Sequence, residues 1–551
     1  MESYCSAKPN FQHVVEPSKF TYQLLDFIAP FQREESDESS RLRQRAVLLD
    51  LPNELLLQIF ESLQNELYSL SLVSKRLHYL ALPIYLARNG MSPFSGELIL
   101  FDERSQDVLQ ALSIALFRPT LKRIHCTFNF GRPQKELIRN IRGMVRLASK
   151  LSRMEEVHFD IIRIPDMGQD LDSNLYKKLL MDDVGGDWEQ EFLVLFRSVL
   201  ETGCITLTVC LQGSGWSVVS TPNELVSAIG SRKWSSRLCG FFPCSSITCS
   251  FWCKSQGIDL PPVPSVVVPR GHIDLKTFNL HCSMLLNAQF CSRTIEILNS
   301  SCLSTLSLKH LCVDPAAWAI ILPRIDLHAL SSLSIDACTI MYEDLSDFLH
   351  RHPHITHLYL GRRLSPPPPD ARLSKSALCQ LSHLSATREY LISFLAPTGS
   401  SPYVKKVDLL VRILRGDRFN FKKLDNEMSS ISYRLRKVEL SLELSLESST
   451  GDWMSPNIYP NYHKEDSIIP YIVKVHINLR TYYLPRDVMA TLPRWLSSFP
   501  SLKQASISSP SQTPPTDVLL LHPFFHSMGK LCPGIETIEI NDHTYDIEAY
   551  L

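Results

Sequence analysis

The densest group of potential metal ligands in the sequence is a short cysteine-rich segment. RLCGFFPCSSITCSFWCKS contains Cys239, Cys244, Cys249 and Cys253. Structural zinc sites normally combine two ligand pairs that are separated by a dozen or more residues, so that the pairs can converge on the ion. The middle gap here is too short for that arrangement. The interleaved Phe, Ile and Trp residues instead favour a strand or core segment, in which reduced cysteine behaves as a small hydrophobic residue.

A second candidate is the histidine-rich segment HRHPHITHLYL, which contains His350, His352, His354 and His357. Imidazoles at such spacing can bind zinc. The segment also reads as the end of a helix followed by a repeat strand, where polar residues are expected at the turn. We predict no metal site and no cofactor at either cluster.

Catalytic motifs are absent from the sequence. QGSGWS, around Gly213 and Gly215, lacks the remaining glycines and the lysine of a phosphate-binding loop, and it reads as a turn. There is no nucleophile elbow, paired-carboxylate signature or kinase motif. The chain is therefore predicted not to be an enzyme. A zinc-dependent hydrolase that uses the cysteine or histidine segment is the least favoured alternative.

Charge and composition exclude several further classes. Lys and Arg number 56 against 57 Asp and Glu, so no overall positive field favours nucleic acid or an anionic membrane. The N-terminal residues show no signal-peptide pattern, and no window approaches the apolar length needed to span a bilayer. The 15 cysteines are ordinary usage for reduced thiols. We expect an intracellular protein, cytoplasmic and/or nuclear.

Residues 48 to 83, LLDLPNELLLQIFESLQNELYSLSLVSKRLHYLALP, are unusually rich in large apolar side chains. Pro52 suits the first helical position, and Glu54 adds a favourable charge near that helix N-terminus. Apolar residues recur at helical spacing in three groups: Leu55, Leu56, Ile59, Phe60 and Leu63; Leu67, Leu70 and Leu72; Val73, Leu77, Leu80 and Ile84. The pattern predicts three short helices with apolar side chains on more than one face. So small a unit cannot bury this surface by itself, so another surface must cover it.

This segment strongly resembles an F-box. The resemblance lies in the Leu51–Pro52 start, Glu54, the Ile59–Phe60 pair, and the run LSLVSKRLHYL that ends at Leu80. It implies docking on the Skp-type adaptor of a cullin-RING ubiquitin ligase. By resemblance, the adaptor-binding residues are Leu51, Pro52, Leu55, Ile59, Leu67, Leu70 and Val73. The alternative is a helical bundle that packs against the rest of its own chain.

The remainder of the chain carries an internal repeat of the form Leu-x-x-Leu-x-Leu. LKTFNL, LSTLSL, LSSLSI and ITHLYL begin at 275, 303, 330 and 355, with steps of 28, 27 and 25 residues. Such periods are typical of leucine-rich repeats, in which each unit adds a short strand to a parallel sheet. Looser copies follow the same form: LKRIHC at 121, MEEVHF at 154, LSHLSA at 381, VKKVDL at 404, LRKVEL at 435, IVKVHI at 472, LKQASI at 502 and IETIEI at 535.

These features predict an α/β fold in which a short three-helix F-box is followed by an irregular leucine-rich-repeat-like solenoid with a parallel sheet. The region resembles the degenerate leucine-rich-repeat domains of fungal-type F-box proteins. The predicted organisation is a disordered or loosely attached segment at 1–47, the F-box at 48–90, and the repeat domain at 91–551 with an irregular insertion around 160–270.

The predicted function is that of the substrate-recognition subunit of an SCF-type ubiquitin ligase. The F-box would hold the adaptor, and the polar positions between the repeat leucines would hold a protein target. The candidate target-binding residues are His357, Tyr359, Lys406, Asp408, Lys437 and Glu439. The alternative is a non-catalytic repeat scaffold that does not direct degradation.

Overall fold

A computed structural model describes the chain in separate ranges: residues 51–63, 66–89, 91–92, 96–100, 105–115, 121–129, 134–151, 153–162, 185–212, 222–230, 273–371, 373, 376–396, 403–446, 453–454, 467–479, 486–509 and 518–547. The segment 1–47, the cysteine-rich segment and the glycine turn at 213–215 lie outside these ranges. The contacts divide the chain into two compact units, one ending at Asn89 and one that comprises most of the remaining chain. Each unit is described separately below.

Within its described residues, the first unit contains three helices: α1 (Asn53–Ser62), α2 (Leu67–Ser71) and α3 (Lys75–Arg88). Helix α1 begins directly after Pro52, whose carbonyl accepts the N–H of Leu56 at 3.1 Å. Helix α3 begins after Ser74, whose hydroxyl caps the N–H of Leu77 at 3.2 Å. The three predicted helices are therefore present.

The helical unit has a small core of its own. The fully buried side chains in this core come from all three helices: Leu56, Phe60, Leu67, Leu70, Leu77 and Ala81. Leu51, Leu63, Leu80, Ile84 and Tyr85 pack against them. The Arg88 guanidinium closes the far end of the unit by donating to the carbonyl of Glu61 at 2.6 Å. About two thirds of the apolar residues in the three predicted groups are therefore used internally.

The second unit contains a 16-stranded sheet in which the strands follow one another in chain order. The strands are β1 (Met91–Ser92), β2 (Glu97–Leu100), β3 (Arg123–Asn129), β4 (Glu156–Ile162), β5 (Thr206–Gln212), β6 (Thr277–His281), β7 (Thr305–Lys309), β8 (Ser332–Asp336), β9 (His357–Leu360), β10 (His383–Thr387), β11 (Lys406–Ile413), β12 (Glu439–Leu446), β13 (Ile472–Leu479), β14 (Gln504–Ser508), β15 (Thr537–Ile540) and β16 (His543–Tyr545). Pairing is parallel from β2 to β15, and the two end pairs are antiparallel. The predicted fold class, a helical F-box-like region followed by a solenoid-like parallel sheet, is confirmed.

Helices connect most of the parallel strands, as a parallel sheet requires. They are α4 (Ser105–Ile114), α5 (Gln134–Lys150), α6 (Gly185–Glu201), α7 (Pro222–Gly230), α8 (Ala288–Ser300), α9 (Pro315–Ile321), α10 (Tyr342–Arg351), α11 (Arg388–Leu395), α12 (Phe421–Met428), α13 (Ser432–Leu435), α14 (Arg486–Leu496) and α15 (Val518–Leu531). Asp314 caps α9 by accepting the N–H of Ala316 at 2.8 Å. Among the helices within the described ranges, none has the length and apolar character that a membrane crossing needs.

The alternation of each strand places its large apolar side chains on the face that the helices cover. Phe128 of β3 and Phe159 of β4 both contact Phe192 of α6, with ring centroids 5.6 and 6.1 Å apart. The opposite face carries mostly polar side chains. We refer to it as the polar sheet face.

The described part of the 160–270 tract continues this architecture. Helix α6, strand β5 and helix α7 follow β4, and β5 pairs in parallel with both β4 and β6. The sheet is therefore continuous across the tract. Residues 163–184, 213–221 and 231–272 lie outside the described ranges.

The repeat copy read at 435 is offset by two residues from the register of the sheet. The motif equates Lys406 with Lys437, but β11 and β12 pair Lys406 with Glu439. Lys437 precedes the strand and lies in the turn after α13. Because side chains alternate with a period of two, this offset keeps the apolar residues on the covered face.

Candidate functional site

The helical unit exposes a set of large apolar side chains that its own core does not use. Val73 is 68% exposed, Leu72 59%, Tyr79 52% and Leu55 46%. Leu57 and Ile59 are also exposed. We call these six residues the apolar helical face. So many exposed apolar side chains on so small a unit are typical of an interaction surface.

Helical geometry explains why these side chains remain outside. Leu55 and Ile59 are four residues apart and therefore share one side of α1, whereas Leu56 and Phe60 turn toward the core. Leu72 and Val73 lie in the turn between α2 and α3.

An arginine fixes this turn relative to α1. The Arg76 guanidinium donates to Asn53 Oδ1 at 2.8 Å and to the Leu51 carbonyl at 2.6 Å. These bonds hold the beginning of α3 against the beginning of α1.

The structure separates the predicted adaptor-binding residues into two groups. Pro52, Leu55, Ile59 and Val73 are exposed, and Leu51 is partly buried against the helical core. Leu67 and Leu70 are buried in that core, with exposures of 0% and 9%. A side chain enclosed by its own unit has little surface left to offer a partner, so these two residues belong to the helical core, and their role in adaptor binding stays a prediction.

Three exposed residues were missed by the sequence prediction: Leu57, Leu72 and Tyr79. Leu57 was overlooked because it was not included in any of the three groups of apolar residues read from helical spacing. Helical periodicity predicts which apolar residues share one side of a helix. It does not predict which of the apolar sides is buried within the unit.

The comparison with family models identifies the helical unit. Residues 48–89 match the F-box-like family, which covers α1, α2 and α3. This segment is therefore F-box-like. The comparison with curated proteins found no match.

The polar sheet face of the second unit presents rows of side chains in strict register. Ser334, Tyr359, Ser385, Asp408 and Ser441 lie side by side on strands β8 to β12. Toward the C-terminus the face continues into a cleft of about 380 Å³. The cleft is lined by polar residues of β11 to β16, including Lys406, Lys474, His476, Gln504, Ser506 and Glu539.

Asp408 is the centre of a hydrogen-bonded cluster on this face. Its carboxylate accepts the Ser385 hydroxyl at 2.6 Å and lies 2.5 Å from His383 Nε2. Lys406 Nζ is 3.5 Å from the other oxygen. Burial opposes ionisation of Asp408, but the hydrogen bonds from His383 and Ser385 outweigh it and lower its pKa to about 2. The cluster therefore holds a fixed negative charge between two basic side chains.

Glu443 lies beside this cluster, and its pKa is shifted in the opposite direction. Burial, followed by the charges of Asp408 and Asp336, raises the pKa of Glu443 to about 7, while Arg362 and Lys309 oppose that shift. His476 is its register partner on β13. The protonation state of Glu443 therefore changes near neutral pH.

Asp336 organises the neighbouring strand end. It accepts the backbone N–H of Arg362 at 2.7 Å, and the Arg362 guanidinium lies 3.4 Å from its second oxygen. A Cβ on Gly361 would lie 2.2 Å from Asp336 Oδ1. Only glycine allows this close approach.

Five of the six predicted target-binding residues begin or line strands on the polar sheet face. His357 and Glu439 are exposed, while Tyr359, Lys406 and Asp408 are half-buried. Glu439 pairs with Lys474 Nζ at 2.9 Å. Lys437 is exposed but lies in a turn outside the strand, so it does not belong to the polar sheet face, and its role in target binding stays a prediction.

The histidines of HRHPHITHLYL are used locally. His352 is buried, donates from Nδ1 to the Phe348 carbonyl at 2.7 Å and accepts the Leu327 N–H at Nε2 at 3.0 Å. His350 bonds the Ser346 carbonyl one turn earlier. Both ring nitrogens of His352 are thus occupied by backbone groups, which connect α10 to the preceding repeat.

A different histidine cluster lies on strands β3 and β4. His125 of β3 pairs in register with His158 of β4, and both Nε2 atoms contact Asp160, at 2.8 and 2.9 Å. The hydrogen bond that His158 donates to the Asp160 carboxylate raises the pKa of His158 to about 10. A signal was present in the sequence, since LKRIHC and MEEVHFD both carry histidine at the fifth repeat position.

Proposed function

We propose that this protein is the substrate receptor of an SCF-type cullin-RING ubiquitin ligase. The observation that carries the proposal is the apolar helical face on a unit that matches the F-box-like family. The helices of this unit already have a core, so the exposed side chains are surplus to its own folding. A Skp-type adaptor is the partner that would cover them.

Burial of this face is large enough to drive association. A fully buried Val, Leu or Ile side chain contributes roughly 1.5 to 3 kcal/mol. Leu72 and Val73 form the most exposed part of the face, on the turn that Arg76 holds in place. A rigid turn loses little conformational entropy on binding, so more of the burial energy appears as affinity.

The second unit is proposed to bind the protein target through the polar sheet face. We regard it as a degenerate leucine-rich-repeat domain of the fungal F-box type, because short parallel strands alternate with helices at repeat periods. The fixed charges of Lys406, Asp408 and Glu439 and the half-buried ring of Tyr359 form a mixed polar and aromatic surface. Such a surface suits a folded protein or peptide.

The chain itself is proposed to make or break no bond. Its role would be to bring the target lysine close to the activated ubiquitin, which converts a bimolecular encounter into an effectively intramolecular one. It would act within the cell, in the cytoplasm and/or nucleus, where such ligases operate.

The test is recovery of the adaptor and the cullin with the full-length chain. Leu55→Asp combined with Val73→Asp should abolish recovery of both, because it places two charges in the interface. The matched control is Val226→Asp on α7, which alters a valine that is 49% exposed outside the helical unit. Equal recovery with all three proteins would refute adaptor binding through this face.

The second candidate is a non-catalytic scaffold that binds the adaptor without directing degradation. The two are distinguished by the proteins that bind the polar sheet face. A receptor requires that at least one of them be ubiquitinated in a reconstituted reaction and accumulate in cells that express the Leu55→Asp, Val73→Asp variant. A scaffold predicts binding without either effect.

A further inference from the structure

The polar sheet face carries a cluster of three metal-ligand side chains at its N-terminal end. His125, His158 and Asp160 each offer one ligand atom, and these atoms all lie within 4.8 Å of one another. They come from two adjacent strands, because His125 and His158 are register partners and Asp160 lies two residues beyond His158 on the same face. Within the described part of the chain, this is the single such cluster of three or more ligands.

The distances suit a shared ion. Asp160 Oδ2 lies 2.8 Å from His125 Nε2, and Asp160 Oδ1 lies 2.9 Å from His158 Nε2. The two imidazole rings are 4.4 Å apart between centroids. Ligands that bind zinc tetrahedrally at about 2.0–2.1 Å lie about 3.3 Å from one another. Zinc binding would displace the protons of these His–Asp hydrogen bonds, and the two carboxylate–imidazole distances would then lengthen by about half an ångström.

The cluster combines a buried carboxylate with two imidazoles that are partly exposed to solvent. Both histidine side chains are about one-third exposed, whereas the Asp160 side chain is 6% exposed. The carboxylate is thus fixed beneath two imidazoles that solvent can reach. An ion held there would keep a coordination position open toward the polar sheet face.

A separate observation also points to a missing polar ligand. Thr127 pairs in register with Asp160, and its hydroxyl is buried without a hydrogen-bond partner among the described residues. Buried polar groups rarely remain unpaired in native proteins. A water bound to an ion at Asp160 is the type of partner that would satisfy this hydroxyl.

The donor set indicates which ion is expected. Two imidazoles and one carboxylate favour zinc or a similar transition metal over magnesium or calcium, which prefer oxygen ligands. Cys210, the register partner of Asp160, adds a soft donor nearby and lies 3.4 Å from His281 Nδ1. We propose that His125, His158 and Asp160 form a zinc site with one open coordination position on the polar sheet face.

This inference does not depend on the ubiquitin-ligase role, because it concerns only the second unit. A structural alternative is that Asp160 simply holds two histidines by hydrogen bonds. The two differ in a measurable way, since a hydrogen-bonded cluster has no affinity for zinc beyond that of ordinary surface histidines.

The experiment uses the full-length chain without a histidine tag, treated with chelator and then titrated with Zn²⁺ by calorimetry. The wild type should bind one ion, and Zn²⁺ should raise its melting temperature. His158→Gln and Asp160→Asn should each weaken binding at least about 100-fold, because each removes a direct ligand. Circular dichroism of both variants without metal should match the wild type.

The matched control is His383→Gln. It alters another His–Asp contact on the same sheet face, in which the carboxylate of Asp408 contacts one histidine and not two. It should leave Zn²⁺ affinity unchanged. The proposal is overturned if the wild type binds no Zn²⁺ tighter than the His158→Gln variant does. Equal weakening by His383→Gln would overturn it as well, because binding would then be a general property of the face. If one variant fails to fold, the other and His125→Gln provide the same comparison.

Discussion

Truncation of the apolar helical face to alanine gives the most direct quantitative test of adaptor docking. The relevant side chains are Val73, Leu55 and Ile59, which are 68%, 46% and 37% exposed. Full burial of such a side chain contributes roughly 1.5 to 3 kcal/mol, in proportion to the area removed from water. Scaled by exposure, the three contribute about 2 to 4 kcal/mol in total.

That energy corresponds to roughly a 30- to 1,000-fold loss of affinity in the triple variant. Val73→Ala should have the largest single effect, because Val73 has the most surface left to bury. The assay is calorimetric titration of the purified full-length chain with the Skp-type adaptor. Thermal melting should be nearly unchanged, since none of the three side chains belongs to the helical core.

Two results would refute this reasoning. A loss of affinity below threefold in the triple variant would mean that the adaptor does not cover this face. A large loss accompanied by an equal drop in melting temperature would mean that the residues stabilise the fold. Val226→Ala is the control for a general effect of removing an exposed valine, and it should bind normally.

Three further outcomes follow from buried and charged groups. Leu67→Ala should destabilise the helical unit by about 2 to 5 kcal/mol, because it leaves a cavity in the core, and limited proteolysis within this unit would show it. Glu443→Gln should stabilise the chain by about 1 to 3 kcal/mol at pH 7.5 and little at pH 5 in urea unfolding. The pKa of Glu443 is raised in the folded state, so the unfolded chain loses this proton at a lower pH than the folded chain does. The free energy of unfolding of the wild type therefore falls as the pH rises from about 4.5 to about 7. Glu539→Gln, which alters an exposed glutamate on the same face, is the matched control. Gly361→Ala should lower the melting temperature, because its Cβ would displace Asp336 from its bond to the backbone.

The repeat strands could be predicted because their signal is local. LSTLSL and LSSLSI alternate polar and apolar residues from their third position onward, and β7 and β8 form where those motifs lie. Strand β2 was missed, since ELIL is too short to display the full motif. The offset at β12 was also missed, because VELSLELSL satisfies the alternation in more than one register. Only pairing with β11 selects the register in which Lys406 opposes Glu439.

The candidate sites were predictable in part. F-box resemblance marked the region that carries Leu55, Ile59 and Val73, but it also marked Leu67 and Leu70, which the unit buries. Apolar character is a property of the residue type, whereas exposure depends on which neighbours the helices bring against it. The histidines show the same dependence on neighbours. His352 forms hydrogen bonds with two backbone groups, whereas His125 and His158 both contact the carboxylate of Asp160.

The sequence by itself determined the class of this protein: an F-box-like helical segment, a long repeat of short parallel strands, and near-neutral charge. These features can be read from the sequence because they depend on how residues are spaced along the chain. Strands show this spacing as alternating polar and apolar residues, and helices show it as apolar residues three or four positions apart. Tertiary structure alone decided which leucines remain outside the helical core and which polar residues from distant repeats share one surface. His125 and Asp160 are 35 positions apart in sequence and 2.8 Å apart in space because two strands pair in one register, and that register is set by contacts between segments.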